Sequence, residues 1–128
     1  MIEIQGSLMV EGEVKIAKRR HLGVIKIDDD KFTFVFKNGN TTEIKIEEIK
    51  SIIYYDKIPK NQKRPLITLK NGRNFVFSAV PKSRWNVKGQ LSGFVPGLNT
   101  IKSHYEMSEM NQQVYNVLNY LLKKYNDN

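Results

Sequence analysis

The sequence contains no cysteine, and His21 and His104 are its two histidines. The absence of cysteine excludes disulfide scaffolds, cysteine-ligated zinc and iron–sulfur sites, and thiol nucleophiles. Neither histidine has the spacing of a metal ligand, and the phosphate-binding loop, G-x-S-x-G and G-x-G-x-x-G motifs are all missing. We therefore expect a binding protein rather than an enzyme, with no catalytic residue, no metal site and no cofactor.

Long apolar runs are also missing. No segment approaches the roughly 18 apolar residues of a membrane span, and residues 1–6 lack the basic start of a signal peptide. The chain has 128 residues, of which 40% are hydrophobic. This suffices for one core without disulfides, but not for two packed domains. These features predict a single domain over residues 1–128, located in the cytoplasm, free or peripheral to a membrane.

Acidic residues are absent between residues 57 and 105, a stretch that contains ten lysines and arginines. The net charge of the whole chain is +8, so the other residues together are slightly acidic. Charge segregated in this way predicts an anionic partner, which would be an acidic membrane surface, a phosphoinositide headgroup, nucleic acid or an acidic protein. The alternative is a solvated surface that is merely rich in lysine.

Alternation of apolar and polar residues over positions 7–79 predicts strands that are buried on one face. The clearest strand is residues 31–36, which places three phenylalanines on one side. Asn-Gly pairs at 38–39 and 71–72 predict hairpins with type I′ turns, because that turn needs positive φ at both central positions. In total we expect seven antiparallel strands joined by short connections.

The periodicity changes near the C-terminus and predicts a helix over residues 109–125. Ser108 is a suitable N-cap, with Glu109 in the first turn. The apolar side should dock on the sheet, and residues 80–107, which show no period, should form an irregular loop. The predicted apolar side comprises Met110, Val114, Val117, Leu118, Leu121, Leu122 and Tyr125, and the polar side comprises Asn111, Gln112, Asn116, Lys123 and Lys124.

Seven strands followed by one amphipathic helix resemble the pleckstrin-homology-like (PH-like) superfold. The resemblance is carried by a glycine-opened strand, turn and apolar-x-Phe strand at 23–34, a strand leading into I-x-x-I at 44–52, and an L-x-N-G-R-x-F-x-F hairpin within 66–77. This pattern is similar to GRAM and bacterial PH-like domains. The architecture is also similar to GLUE domains, which bind ubiquitin and in some cases phosphoinositides. The resemblance implies two antiparallel sheets in a seven-stranded, partly open barrel that the C-terminal helix caps.

Lipid-binding PH-like domains carry a basic run across the first hairpin, which Lys15, Lys18, Arg19 and Arg20 resemble. Several cations must converge on the phosphates, because one exposed ion pair contributes little, whereas arginine can hold a phosphate with two hydrogen bonds. A second basic cluster should join the fifth and sixth strands and lie beside the first hairpin. It consists of Lys57, Lys60, Lys63 and Arg64. A solvated basic turn is the alternative for both clusters.

The predicted loop 80–107 supplies a third candidate site. Trp85, Phe94 and Leu98 lie among basic residues, a composition typical of membrane interfaces and protein hot spots. The alternative is that these side chains fill the core.

The predicted function is an adaptor or targeting module for acidic lipid or phosphoinositide. Ubiquitin or another protein is the alternative partner, and nucleic acid stacked on aromatics near cations is a second one.

Overall fold

A computed structural model describes residues 2–10, 19–55, 64–80 and 99–127. These residues form seven strands, two 3-10 turns and one helix. The strands are β1 (Ile2–Val10), β2 (Leu22–Ile27), β3 (Lys31–Phe36), β4 (Thr41–Lys45), β5 (Ile49–Tyr55), β6 (Arg64–Leu69) and β7 (Asn74–Ala79). The 3-10 turns are Arg19–His21 and Ile46–Glu48, and the helix α1 is Asn99–Asn126.

All seven strands join one antiparallel sheet in the order β4-β3-β2-β1-β7-β6-β5. The sheet curls into a partly open barrel, and α1 packs against β5, β6, β7 and the 3-10 turn Ile46–Glu48. The predicted fold class is therefore confirmed. The expected division into two sheets needs correction, because β1 pairs with β2 over residues 2–7 and with β7 over residues 6–10. One long strand thus belongs to both halves of the barrel.

The first strand begins at Ile2, before the start predicted at residue 7. Ile2 and Ile4 stand opposite Ile27 and Ile25 of β2, and Ile4 is buried in the core. The alternating residues at the start of the chain therefore belong to the sheet because β2 is long enough to pair with them. Residues 11–18 of the stretch with predicted alternation lie outside the described residues.

The Asn-Gly hairpin between β3 and β4 is confirmed, but its turn is not type I′. The N–H of Gly39 donates to the carbonyl of Phe36 (2.9 Å), and the N–H of Phe36 donates to the carbonyl of Asn40 (2.8 Å). The tight turn therefore closes over Lys37 and Asn38. Gly39, with a φ of 93°, follows as the left-handed residue of a three-residue loop.

The hairpin between β6 and β7 repeats this geometry. The N–H of Gly72 donates to the carbonyl of Leu69 (3.0 Å), the N–H of Leu69 donates to the carbonyl of Arg73 (2.8 Å), and Gly72 has a φ of 92°. In both loops the asparagine side chain accepts a backbone N–H two residues on, as Asn71 does from Arg73 at 3.0 Å. This bond holds the asparagine inside the tight turn, so the glycine is left as the residue that needs positive φ.

Aromatic rings pack over a pair of glycines at the centre of the core. Phe34 of β3 and Phe77 of β7 are fully buried, with ring centroids 6.3 Å apart in an edge-to-face arrangement. Gly6 stands opposite Gly23 across β1 and β2. A Cβ atom at Gly6 would lie 2.6 Å from Cζ of Phe77, and one at Gly23 would lie 2.6 Å from Cε1 of Phe34. The two glycines therefore provide the space that the rings occupy.

The helix begins at Asn99, ten residues before the predicted start. Ser108 therefore lies inside α1 and is not its N-cap. The predicted apolar side docks on the sheet, with Val114 and Leu118 fully buried, although Tyr125 at its end is 45% exposed. The start was misplaced because the sequence shows no sustained apolar periodicity just before residue 108.

Asn111 corrects the predicted polar side of the helix. It is buried at 2% exposure, and its Oδ1 accepts the backbone N–H of Ala79 at 2.6 Å. Asn111 lies four residues after Met107 and three before Val114, both of which are buried, so all three share one face of α1. The prediction was wrong because residue type alone does not reveal that a buried N–H of β7 needs an acceptor.

Candidate functional site

Three connections gather at one end of the barrel, which we name the loop end. The N–H of Lys37 donates to the carbonyl of Leu22, the first residue of β2 (3.0 Å). On the other side, Val10 at the end of β1 stands opposite Phe75 near the start of β7. These pairings place the β3–β4 hairpin beside the start of β2 and the β6–β7 hairpin beside the end of β1. The described connections of the loop end are Arg19–His21, Lys37–Asn40 and Lys70–Arg73.

The described turns of the barrel fall into two regions that differ in charge. In the three described connections of the loop end, the charged residues are all basic, namely Arg19, Arg20, Lys37, Lys70 and Arg73. The second region, which we name the helix end because the last turns of α1 reach it, has acidic turns at Asp28–Asp30 and Glu47–Glu48 and also the exposed lysines Lys45, Lys123 and Lys124. The two regions adjoin at Lys70, whose N–H donates to the carbonyl of Glu48 (2.9 Å). Among the described turns, those of the loop end therefore attract an anionic ligand more than those of the helix end.

Short contacts fix the hairpin that carries Arg73. The Arg73 guanidinium lies over the ring of Phe75, 5.0 Å from its centroid, which is within the range of a cation–π interaction. Its neighbour Lys70 lies on the side of the hairpin nearest the helix end, since its N–H donates to the carbonyl of Glu48 (2.9 Å). Lys70 is therefore close to the acidic turn Glu47–Glu48, whereas Arg73 packs on β7.

The first predicted cluster is described in part. Arg19 and Arg20 belong to the 3-10 turn that precedes β2, whereas Lys15 and Lys18 lie outside the described residues. Arg20 is exposed, and its Nε–H donates to Nε2 of His21 at 3.4 Å. Arg20 therefore lies at the loop end, and its role as an anion ligand stays a prediction.

The second predicted cluster is represented by Arg64. It opens β6 opposite Tyr55 and is half-buried, and this burial lowers the pKa of its guanidinium. The hairpin of the loop end lies at the other end of β6, roughly 17 Å along the strand. The described strands therefore do not join Arg64 to Arg20 in one patch. The other members, Lys57, Lys60 and Lys63, lie outside the described residues, as do Trp85, Phe94 and Leu98 of the third candidate site.

Sequence reasoning did not place Lys37 and Arg73 among the candidate ligands, although both lie at the loop end. The signal was present, because each is next to an Asn-Gly pair that marks a hairpin tip. What the sequence did not show is that two separate hairpins are brought to the same end, since that depends on the pairing of β1 with β7.

A cleft of about 340 Å³ lies at the helix end. Ile46 and Leu121 form its buried floor, and the charged side chains around it are exposed. No ion pair within 4.0 Å joins these side chains among the described residues. Three carboxylates in this lining disfavour an anion there. The cleft is lined by Asp29, Asp30, Lys45, Ile46, Glu47, Leu121, Lys124 and Tyr125.

Two tyrosines attach α1 to β5. The ring of Tyr54 stacks on that of Tyr115, with centroids 5.1 Å apart and an angle of 8° between the rings. The Tyr54 hydroxyl donates to the carbonyl of Ser108 at 3.3 Å. Burial raises the pKa of Tyr54, and the hydrogen bond to Ser108 opposes this in part. This contact orients the helix and is remote from the loop end.

Neither a metal centre nor a membrane-spanning helix is found among the described residues. In that part of the chain, no three His, Asp or Glu side chains are close enough together to hold a metal ion, and no helix combines the length and apolarity needed to cross a membrane. No protein-family model matches the sequence, and no curated protein matches it.

Proposed function

We propose that this protein is a non-catalytic binding module that recognises anionic headgroups of acidic lipids or phosphoinositides through its loop end. The observation that carries the proposal is the concentration of basic residues in the described turns of the loop end. Basic residues occupy each described connection there, whereas the turns of the helix end are acidic and lie beside Lys45, Lys123 and Lys124. Basic residues gathered in this way are attracted to an acidic surface.

The geometry of the loop end supports a site with several cations. Lys37 is the first residue of a three-residue loop closed by backbone hydrogen bonds, and Arg73 directly follows the equivalent loop of the other hairpin. Arg20 lies between them in the order of strands across the sheet, because β2 lies between the β3–β4 hairpin and the β6–β7 hairpin. Ordered loops lose little conformational entropy on binding, and basic residues near an acidic membrane contribute about 1 kcal/mol each. A peripheral, cytoplasmic location follows from this proposal.

The test is retention on phosphatidylcholine vesicles that contain either phosphatidylserine or a phosphatidylinositol bisphosphate, compared with phosphatidylcholine alone. We expect Lys37→Glu combined with Arg73→Glu to weaken retention at least about 30-fold, which corresponds to about 2 kcal/mol. The matched control is Lys45→Glu combined with Lys123→Glu, which makes the same charge change at exposed positions of the helix end. The control should retain vesicle binding.

Three outcomes would contradict the proposal. One is equal loss in the two double variants, which would indicate a response to net charge alone. Another is binding to a short oligonucleotide that falls steeply with salt while vesicles are not retained, which would indicate nucleic-acid binding. The last is binding of ubiquitin that the loop-end variant leaves unchanged. Soluble inositol phosphates in a parallel titration separate headgroup recognition from general attraction to an acidic surface.

A further inference from the structure

The two edge strands of the described sheet differ in composition. β4 is a five-residue strand with charged residues at Glu43 and Lys45, a composition that discourages pairing with another strand. β5 has seven residues, no proline and one charged residue, Lys50. It also exposes Ile53, with half of the side-chain surface accessible. β5 has a bulge at Lys50, but beyond it the segment from Ser51 to Tyr55 is regular and uncharged, so this part of β5 is the less protected of the two edges.

The backbone of β5 has hydrogen-bonding groups that point away from the sheet. Pro65 lacks an N–H and stands opposite Tyr54, so this pair is of the non-hydrogen-bonded type. The N–H and C=O of Tyr54 then point to the outer edge, and the two-residue repeat of a strand turns those of Ile52 the same way. Among the described residues, no backbone hydrogen bond joins either residue to a further element.

We propose that two copies of this chain associate through their β5 edges, antiparallel and around a two-fold axis at Ile53. In this register the outward groups of Ile52 pair with those of Tyr54 in the second copy, and those of Tyr54 pair with Ile52. Ile53 meets its symmetry mate in the closely spaced, non-hydrogen-bonded position. The contact is isologous, so it closes as a dimer and joins the two sheets into one.

The features of β5 fit a second copy. An apolar partner would cover the exposed Ile53, and the two-fold axis supplies an identical one. The single charge of each strand, Lys50, lies three positions from the axis, so the two lysines stand roughly 20 Å apart. That separation exceeds the screening length of about 8 Å at physiological salt. The contact of Tyr54 with Tyr115 holds α1 against the core side of β5. Ile53 and its cross-strand neighbour Leu66 project from the opposite side of the sheet.

The test is the molar mass of the full chain over a range of concentrations by sedimentation or light scattering. The unaltered chain should form a dimer, and Ile53→Lys should raise the dimer dissociation constant by about tenfold or more, because it removes apolar contact and opposes two like charges. Thr41→Lys places the same charge on the exposed edge of β4 and should leave the dimer intact. Circular dichroism checks that each variant is folded.

A mixing experiment isolates the two-fold register. Ile53→Lys and Ile53→Glu should each be monomeric alone and should form a dimer when mixed, because position 53 faces itself across the axis. The proposal is overturned if the chain stays monomeric at all concentrations and the backbone amides of Ile52 and Tyr54 exchange their hydrogens freely with solvent. In that case the β5 edge is left for an extended peptide of another protein. A dimer that Ile53→Lys does not weaken also overturns it. The vesicle assay involves other residues, so the two proposals can fail independently.

Discussion

The docked side of α1 and the loop end of this barrel use their residues for different purposes. Along α1, side chains such as Leu118 are buried against the core, and polar atoms such as Oδ1 of Asn111 satisfy buried backbone groups. At the loop end, the two hairpin turns hold their shape through local backbone bonds, and Lys37, Lys70 and Arg73 are exposed. Stability is therefore expected to depend on the first region and ligand recognition on the second.

The largest effect is expected from a charge on the docked side of α1. Leu118→Asp places a carboxylate at a position with no exposed surface, which should cost about 4 kcal/mol or more and unfold the domain. Thermal unfolding followed by circular dichroism measures this. Tyr120→Asp, at a position 64% exposed on the same helix, is the control. A stable Leu118→Asp chain would mean that the helix does not stabilise the barrel.

A smaller loss of stability is expected when the helix no longer supplies a hydrogen-bond acceptor to β7. Asn111→Ala leaves the backbone N–H of Ala79 buried without its acceptor at 2.6 Å, so the free energy of unfolding should fall by about 1–3 kcal/mol. Chemical denaturation gives this value, and Gln112→Ala at the neighbouring exposed position is the control. Equal, negligible effects in the two variants would show that this hydrogen bond contributes nothing to stability.

The loop end should tolerate change except where the backbone requires glycine. Gly72→Ala meets no atom within 4 Å, but the backbone φ of 92° is unfavourable for a residue with a Cβ. We expect a loss of about 1–2 kcal/mol, measured by denaturant unfolding. The control Lys70→Ala, in the same turn, should stay within about 0.5 kcal/mol of the original stability. A Gly72→Ala chain as stable as this control would contradict the left-handed turn.

The smallest effect concerns pH at the contact between α1 and β5. Burial raises the pKa of Tyr54 above the ordinary value of 10.0, so the folded chain holds the phenolic proton more tightly than the unfolded chain. This contribution to stability is present below pH 10 and is lost as the pH rises through the folded-state pKa. Tyr54→Phe should flatten the alkaline fall in unfolding free energy, whereas Tyr120→Phe, at an exposed position, should not. Identical pH profiles would contradict the assignment.

Much of the fold was predictable because it depends on local patterns. The alternation around Phe34 and the two Asn-Gly pairs predicted core strands and hairpins, and the apolar spacing of Val114 and Leu118 predicted a docked helix. The predicted turn type was wrong because the hydrogen bond that the asparagine side chain accepts from the backbone leaves no apolar pattern. The predicted helix start was wrong because the first turns of the helix have no distinct apolar pattern either. The grouping of Lys37 with Arg73 was missed because it follows from strand pairing rather than from neighbouring residues.

By itself, the sequence determined the types of elements, the face of each strand that is buried, the absence of thiol chemistry and the uneven distribution of charge. These properties follow from residue identity and from spacing over a few positions. The tertiary structure alone decided that β1 connects both halves of the sheet, that Asn111 is buried, and that basic turns distant in sequence share one end of the barrel. Such features depend on which strands become neighbours, because the long-range pairing of backbone groups brings together residues that local patterns treat as unrelated.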